Sequence, residues 1–285
     1  MPAPSYFPSR TLLCLLTFAA PFTGVAQTYT PVSVTGFNRD IVAENDETRF
    51  ADSFDTVDQW GGDPWSFHEA GVLGAASGLP ANRTIVSENN ANITFQLADY
   101  DNLNVLFLSN NDAFGSASGT LTLPTPTRFS HLAILSTSAN GGGLGGMVLH
   151  FSNGSSSNTL NYQASDWYDA GAGNRAYQAQ GRYTLDPGRP EGEIEESENG
   201  EAPYLYETAL ALGDSGLGYE DLFIASITFT APSGGENLST AIFAISGANA
   251  TAVPEPSTYA LLVGALACLI VVLKRNKRPL TAAGE

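Results

Sequence analysis

The feature that most limits the fold of this chain is a two-residue alternation of apolar and polar side chains in short segments. Residues 93–97, 119–123 and 227–230 alternate in this way, as a strand with one buried face does, because successive side chains point to opposite faces. Residues 104–108 and 241–245 are nearly continuous in apolar side chains and are interpreted as further strands. Outside the two ends of the chain, no helical period extends beyond two turns.

Turn-forming residues separate these segments. Asn, Asp, Gly and Pro cluster at residues 110–112, 124–126, 140–143 and 153–154, where they favour tight turns and loops. Eight to ten short strands with such turns predict an all-β fold, an antiparallel β-sandwich or jelly roll. An α/β barrel requires long amphipathic helices between its strands, and this sequence offers none.

The composition excludes two classes of protein. Hydrophobic residues make up 43% of the 285 residues, which is too many for a disordered chain. The formal net charge is −17, with 12 Lys+Arg against 29 Asp+Glu. Because phosphate neutralisation requires clustered cations, a nucleic-acid-binding protein is excluded.

The first 26 residues have the pattern of a secretory signal peptide. Arg10 precedes a ten-residue apolar core at residues 11–20, Pro21 interrupts it, and small residues at 24 and 26 suit a signal peptidase that cuts after Ala26. The apolar core is too short to span a bilayer. We therefore expect export of the chain and removal of residues 1–26, with an N-terminal core helix as the alternative.

A second apolar segment lies near the other end. Residues 258–273 carry no charge over sixteen positions, just below the usual length of about 17–25 residues for a spanning helix. We expect a single transmembrane helix here, because basic flanking side chains can extend to the headgroups. Cations remain cytoplasmic, so residues 279–285 form a cytoplasmic tail and the preceding chain lies outside. The cations that stop translocation are Lys274, Arg275, Lys277 and Arg278.

A short motif directly precedes this apolar segment. Pro254, Glu255 and Pro256 are followed by the helix of 258–273 and the basic tail of 274–278. This order resembles the PEP-CTERM sorting signal of Gram-negative bacteria that export exopolysaccharide, although seven residues after the last cation make the tail a little longer than usual. The resemblance covers residues 253–278. It implies recognition by an exosortase, a membrane cysteine protease, with cleavage near the motif and transfer to the cell surface or matrix. An ordinary single-pass membrane anchor with a coincidental Pro-Glu-Pro is the alternative.

The exported domain is predicted to span residues 27–252. It holds seven Arg, no Lys and 27 acidic residues, a formal charge of −20. Cys14 and Cys268 both lie in the end segments, so a disulfide framework and Cys-ligated metals are excluded for this domain. Residues 186–203 carry six glutamates among Pro and Gly and are interpreted as an exposed acidic loop.

The exported domain also resembles a known type of domain. The similar segments are residues 36–44, 78–80, 129–135, 166–168 and 241–247. They resemble galactose-binding-like jelly-roll domains of secreted bacterial proteins, most of which have no assigned activity. The resemblance therefore implies a fold rather than a function.

Four aspartates form a candidate calcium site. Asp52, Asp55, Asp58 and Asp63 cluster around a Gly-Gly pair, and Ca²⁺ takes six to eight oxygen ligands from such loops. The spacing does not match an EF-hand, and a solvated acidic loop is the alternative. Residues 99–102 are a similar, weaker candidate.

Tryptophans are the candidate ligand-binding residues, because aromatic rings stack on the C–H faces of sugars. Trp60 and Trp65 lie among Gly and Pro, in loops where binding surfaces are common; capping of the sandwich core is the alternative. For Trp167, next to Tyr168, we favour a structural role.

No catalytic motif is present. His68, His131 and His150 are the only histidines, and neither a Gly-x-Ser-x-Gly elbow nor a His-Glu-x-x-His motif occurs. His131 and His150 lie within apolar strands, which favours structural roles.

These observations predict a non-enzymatic protein of the cell surface or extracellular matrix that associates with exopolysaccharide. Signal peptidase, an exosortase and the membrane are its expected partners, and Ca²⁺ is a candidate cofactor. The alternatives are a purely structural matrix component and a secreted hydrolase acting on polysaccharides or esters.

Overall fold

The computed structural model describes residues 27–44, 52–55, 65–184, 192–195, 203–213, 217–235 and 237–249, together with 264, 266, 267, 269 and 270. The described body consists of strands, with one short 3-10 helix at Val72–Gly74. The strands are β1 (Thr30–Val32), β2 (Val42–Ala43), β3 (Trp65–His68), β4 (Thr84–Val86), β5 (Thr94–Gln96), β6 (Leu106–Ser109), β7 (Ser118–Thr127), β8 (His131–Ala139), β9 (Gly143–Phe151), β10 (Leu160–Ala164), β11 (Arg175–Gln178), β12 (Arg182–Thr184), β13 (Glu193–Glu195), β14 (Tyr204–Ala211), β15 (Ile224–Thr230) and β16 (Ser239–Ala248). The all-β prediction is confirmed.

The strands form a large central sheet, an outer sheet and two small sheets. The central sheet has the order β1-β16-β8-β14-β11, with β6 also paired to β16. The outer sheet has the order β10-β9-β15-β7 and is antiparallel throughout. The small sheets are β13-β12-β3-β2 and the pair β4-β5.

One hydrophobic core lies between the central and outer sheets. Leu121, Leu149 and Phe229 of the outer sheet pack with Ile134 and Ile245 of the central sheet, and all five are buried. The alternation seen in the sequence explains this packing, because every second residue of β7, β9 and β15 points inward. These two sheets form the sandwich that the sequence predicts.

A second core covers the opposite face of the central sheet. Phe67 of β3 lies edge to face against Phe243 of β16, with ring centroids 5.2 Å apart, and Trp167 meets Phe54 in the same manner at 5.0 Å. The central sheet is therefore buried on both faces, so that all ten residues of β16 are buried. This third layer goes beyond a two-sheet sandwich.

The connection at residues 140–142, predicted as a tight turn, joins strands of two different sheets. β8 and β9 belong to different sheets, so this turn carries the chain from the central sheet to the outer one. Asn140 and Gly141 adopt positive φ values of 61° and 113°, a region that Asn and Gly tolerate best. A Cβ at Gly142 would lie 2.5 Å from the Asp166 backbone nitrogen, so only glycine permits this close approach.

The acidic segment predicted over residues 186–203 contains a strand. Glu193, Ile194 and Glu195 form β13, which pairs with β12. The side chain of Ile194 packs with Val72 and Tyr183, which gives this short strand an apolar anchor. The other residues of the segment, apart from 192 and 203, lie outside the described residues.

The two ends of the described body lie side by side. The Gln27 side-chain amide donates to Ser130 Oγ at 3.0 Å and to the Asn249 carbonyl at 3.1 Å, and β1 pairs with the end of β16. The signal peptide of residues 1–26, the sorting motif of 254–256 and the basic tail of 274–278 lie outside the described residues. Within residues 258–273, the described positions 264, 266, 267, 269 and 270 are helical. Among the residues that the structure describes, no helix is both long enough and apolar enough to cross a membrane.

Asp40 is a partly buried carboxylate that ties the start of β2 to the neighbouring loop. Its Oδ1 accepts from Asn104 Nδ2 at 2.6 Å and from the Val42 backbone N–H at 3.4 Å. Burial raises the pKa of the Asp40 carboxyl to about 6, against the opposing effect of these hydrogen bonds. The charged carboxylate therefore destabilises the folded state above about pH 6.

We predict that Asp40→Asn raises the free energy of unfolding at about pH 8 and leaves it unchanged near pH 4. Between about pH 4 and pH 6 the folded chain holds a proton on Asp40 that the unfolded chain, with an aspartate pKa of about 3.9, has released. Wild-type stability therefore gains from Asp40 as the pH falls through about 6, whereas asparagine is uncharged throughout and keeps the acceptor oxygen. Urea denaturation across this pH range measures the difference. Asp112→Asn, at an exposed loop position, is the control; an equal response of both variants would contradict the prediction.

Candidate ligand-binding cluster

Four side chains form an aromatic–arginine cluster: Trp65, Trp167, Tyr168 and Arg182. Strands β3 and β12 are antiparallel neighbours, which brings Trp65 and Arg182 together. The guanidinium carbon of Arg182 lies 4.1 Å from the ring centroid of Trp65, 4.9 Å from that of Tyr168 and 5.7 Å from that of Trp167. These distances lie within the range of a cation–π interaction, which extends to about 6 Å.

Arg182 is held from a second side by an ion pair. Its Nη2 lies 2.6 Å from Glu195 Oε2 of β13, and 16% of its side chain is exposed. A guanidinium fixed in this way covers one face of the Trp65 ring. Trp65 thus provides the aromatic face against which the Arg182 guanidinium packs.

Trp167 and Tyr168 have different roles although they are adjacent. Trp167 is 2% exposed and packs with Phe54 and Phe67 in the second core, which agrees with the structural role favoured for it. Tyr168 is 40% exposed and contacts the Trp167 ring edge to face. Tyr168 is therefore the ring of the cluster that is most available to a ligand.

Two carboxylates lie beside the cluster and are connected by the 140–142 turn. Asp55 Oδ1 accepts from Asn140 Nδ2 at 2.8 Å, and Asp166 Oδ2 accepts from the Gly141 N–H at 2.8 Å. The other Asp166 oxygen accepts from the Tyr168 N–H at 2.9 Å. Burial raises the pKa of the Asp166 carboxyl, and the negative charges of Asp55 and Asp169 add to this shift.

The arrangement suits recognition of a hydroxyl-rich ligand. Carboxylate and amide oxygens accept hydrogen bonds from hydroxyl groups, while a partly exposed aromatic ring supplies an apolar face. Sites that combine convergent polar groups with aromatic walls are common for small ligands. Tyr168 supplies the ring here, and Asp55, Asp166 and Asn140 supply the polar groups.

Only one of the two tryptophans proposed as ligand-binding residues is described. Trp65 begins β3 and is half-buried. Trp60 lies outside the described residues. Ligand binding by either residue stays a prediction, and the covered face of Trp65 makes Tyr168 the better candidate.

The four-aspartate calcium site is described only in part. Asp52 Oδ2 lies 3.9 Å from Arg39 Nε, whereas Asp55 is buried and bonded to Asn140. Asp58 and Asp63 lie outside the described residues. The described part of the chain contains no group of three or more His, Cys, Asp or Glu side chains placed to hold a metal ion. In the weaker calcium candidate at residues 99–102, the Asp99 carboxylate forms an ion pair with Arg83.

The histidines are placed as structural residues. His131 Nδ1 is 3.0 Å from Ser130 Oγ, and His150 bonds to Ser156 and Thr228 hydroxyls. His68 is fully buried, and burial lowers its pKa. Glycine is needed opposite it, because a Cβ at Gly78 would lie 2.7 Å from His68 Nδ1.

Sequence reasoning missed Arg182, Asn140 and Asp166 as members of a site, and it considered Tyr168 only beside Trp167 as a residue that could stack on a sugar. The one usable signal was the Asp-Trp-Tyr-Asp segment at 166–169, in which two acids flank two aromatics.

Comparison with known proteins does not identify a family. No protein-family model matches the chain, and no curated protein sequence matches it. Solved structures that match include the Agl-KA catalytic domain, at 12% identity over 54% of this chain and 23% of that chain. Another is the catalytic domain of a GH87 α-1,3-glucanase in complex with tetrasaccharides, at 13% identity over 54% and 24%. The chain spans about a quarter of the length of each, and both TM-scores are 0.27, too low to indicate a shared fold.

We predict that Arg182→Ala lowers the free energy of unfolding by about 1–2 kcal/mol, the sum expected for a partly desolvated cation–π contact and an ion pair. Arg128→Ala is the matched control, because Arg128 lies over one exposed ring, Phe223, at 5.1 Å and pairs with Asp221 at 3.8 Å. The Arg128→Ala variant should lower the free energy of unfolding by less than about 0.5 kcal/mol. Chemical denaturation followed by tryptophan fluorescence measures both; equal losses would show that the stacking on Trp65 contributes nothing.

Proposed function

We propose that this protein is an exported cell-surface or matrix protein whose acidic β-domain is a non-enzymatic module that associates with glycans. The observation that carries export and sorting is the order of three elements at the C-terminus: Pro254-Glu255-Pro256, the apolar segment 258–273 and the basic tail 274–278. In this proposal the apolar segment holds the precursor in the membrane, and an exosortase cleaves near the motif.

The position of the chain ends supports this arrangement. Gln27, the first residue after the proposed signal-peptidase cut, is bonded to Asn249, and four residues separate Asn249 from Pro254. Since an extended chain spans at most about 3.6 Å per residue, the motif lies within about 18 Å of the body. The domain then stands directly above the membrane until it is released.

The sorting proposal predicts that replacing Pro254, Glu255 and Pro256 together by alanine leaves the full-length precursor in the membrane fraction. The motif would no longer present its extended, non-helical strand to the protease. Mass spectrometry of the C-terminus and cell fractionation measure the result. Pro279→Ala, beyond the basic tail, is the control and should be processed normally. Normal processing of the triple variant would contradict exosortase sorting at this motif.

The glycan proposal rests on the aromatic–arginine cluster and its neighbouring carboxylates. Tyr168 offers an exposed ring, and the half-buried Asp166 offers a carboxylate that backbone N–H groups orient. The rest of the domain is strongly acidic, so anionic polymers are repelled unless a divalent cation bridges them. Ca²⁺, which takes oxygen ligands from carboxylates, would supply that bridge.

We predict that detergent-solubilised full-length protein is retained on polysaccharide and that Tyr168→Ala weakens retention about tenfold. Cellulose and an insoluble β-glucan serve as neutral probes, and alginate with and without Ca²⁺ as the anionic probe. Phe223→Ala removes a similarly exposed ring, 47% exposed, and should bind as the wild type does. Absence of retention on every probe would remove the glycan association and leave a purely structural matrix component.

One observation favours the hydrolase alternative. Polysaccharide hydrolysis requires two carboxyl groups that flank the bond to be cut. Asp166 has a raised pKa caused by burial and by nearby Asp55, and both residues lie beside Tyr168. Release of reducing ends from the same probes, lost in Asp166→Asn, would establish this alternative in place of a binding module.

A further inference from the structure

The outer sheet carries a regular array of hydroxyl side chains on its solvent face. Strands β7 and β15 both read Ser-x-Thr-x-Thr at the positions that point away from the core. We call this array the hydroxyl grid. Its members are Ser118, Thr120, Thr122, Ser226, Thr228 and Thr230.

The grid has two columns and three rows because the strands are antiparallel and in register. The cross-strand pairs are Ser118 with Thr230, Thr120 with Thr228 and Thr122 with Ser226. Neighbouring strands lie about 4.8 Å apart, and alternate residues of one strand about 6.7 Å apart. The intervening residues, such as Leu121, Ile227 and Phe229, are fully buried, so the core fixes the positions of the hydroxyl-bearing residues.

A chain of hydrogen bonds orients hydroxyls across the middle of the grid. Thr120 Oγ1 lies 2.8 Å from Thr228 Oγ1, which lies 2.9 Å from His150 Nε2. The other ring nitrogen of His150 lies 2.9 Å from Ser156 Oγ. This chain crosses β7, β15 and β9, so part of the polar surface is already ordered before any ligand arrives, which lowers the entropic cost of binding.

The face that contains the grid carries no formal charge. On β9 its outward positions are Leu144, Gly146, Val148 and His150, and on β10 they are Asn161 and Gln163. None of these, and no member of the grid, is Asp, Glu, Lys or Arg. Residues 27–252 as a whole have a formal charge of −20, so this uncharged face differs from the rest of the domain.

The absence of charge and the many hydroxyl groups on this face favour a neutral, hydroxyl-rich polymer as its ligand. A charged polymer would find no ion-pair partner on it, and a polyanion would be repelled by the surrounding carboxylates. A neutral, hydroxyl-rich chain exchanges hydrogen bonds with Ser and Thr, which both donate and accept. Threonine methyl groups supply apolar contact for the C–H groups of the same chain.

We propose that the hydroxyl grid is a docking surface for neutral polysaccharide, separate from the aromatic–arginine cluster. This inference rests on the proposed association with glycans and narrows it to uncharged chains. Binding at this face depends on hydrogen bonds and packing, so it is insensitive to salt and to chelation of calcium.

The test compares two variants of the detergent-solubilised full-length protein on cellulose and insoluble β-glucan. Thr120→Glu with Thr230→Glu places charges in both columns of the grid and should weaken retention at least about tenfold. Thr125→Glu makes the same change at an exposed site of β7 outside the grid and should leave retention unchanged. Wild-type retention should stay constant between about 0.05 and 0.5 M salt and in EDTA.

The outcomes separate this inference from the proposed function. Retention that the grid variant keeps but Tyr168→Ala loses would overturn the docking surface and leave the glycan-binding cluster in place. Loss in the grid variant alone supports the docking surface and rejects the cluster. No wild-type retention on either neutral probe rejects the docking surface, and retention on alginate with Ca²⁺ would then preserve the broader proposal. Sedimentation that shows a wild-type dimer disrupted by the grid variant would assign the face to self-association and overturn the inference.

Discussion

Burial of the central sheet on both faces is the constraint on which the rest of the structure depends. Strand β16 has ten buried residues and pairs with β1, β6 and β8. Small side chains make this possible, as at Gly247, where a Cβ would lie 2.3 Å from the Phe129 ring. Buried hydroxyl groups of this strand form hydrogen bonds, as between Thr240 Oγ1 and Ser138 Oγ at 2.8 Å, which offsets the cost of desolvating them. The two main hydrophobic cores of the domain therefore both pack against the central sheet, one on each face.

The sequence was sufficient to predict strands and their buried faces, but not how the sheets stack. The alternation at residues 119–123 and 227–230 correctly predicted one buried and one exposed face. The continuous apolar run at 241–245 is typical of a strand that is buried on both faces. A run of this kind does not show which elements pack against those faces. The turn at residues 140–142 shows the same limit. Its Asn and Gly predicted a tight turn, whereas the choice of sheet for each flanking strand depends on long-range packing.

The candidate cluster was predictable only in its residue types. Trp65 was a candidate because aromatic rings stack on sugars, and Asp55 was a candidate because carboxylates bind Ca²⁺. Their partners Asp166, Tyr168 and Arg182 lie about 100 or more residues away along the chain, and Arg182 meets Trp65 through the register of β3 with β12. The covering of Trp65 by Arg182 follows from that register. That register depends on long-range packing and is not specified by the local pattern, so sequence reasoning singled out Trp65 and gave less weight to Tyr168.

The distribution of charge connects anchoring with recognition. A body with seven Arg, no Lys and 27 acidic residues is repelled by anionic lipid headgroups and by polyanions, within the Debye length of about 8 Å at physiological salt. Such a body gains no membrane attachment from its own surface, so under our proposal attachment falls to the C-terminal apolar segment and its cations. Under the same proposal, ligands bind at surfaces on which charged side chains are absent or form ion pairs. Arg182, neutralised by Glu195, and the uncharged face of β7 and β15 both meet that condition, and each retains hydrogen-bonding groups for a neutral partner.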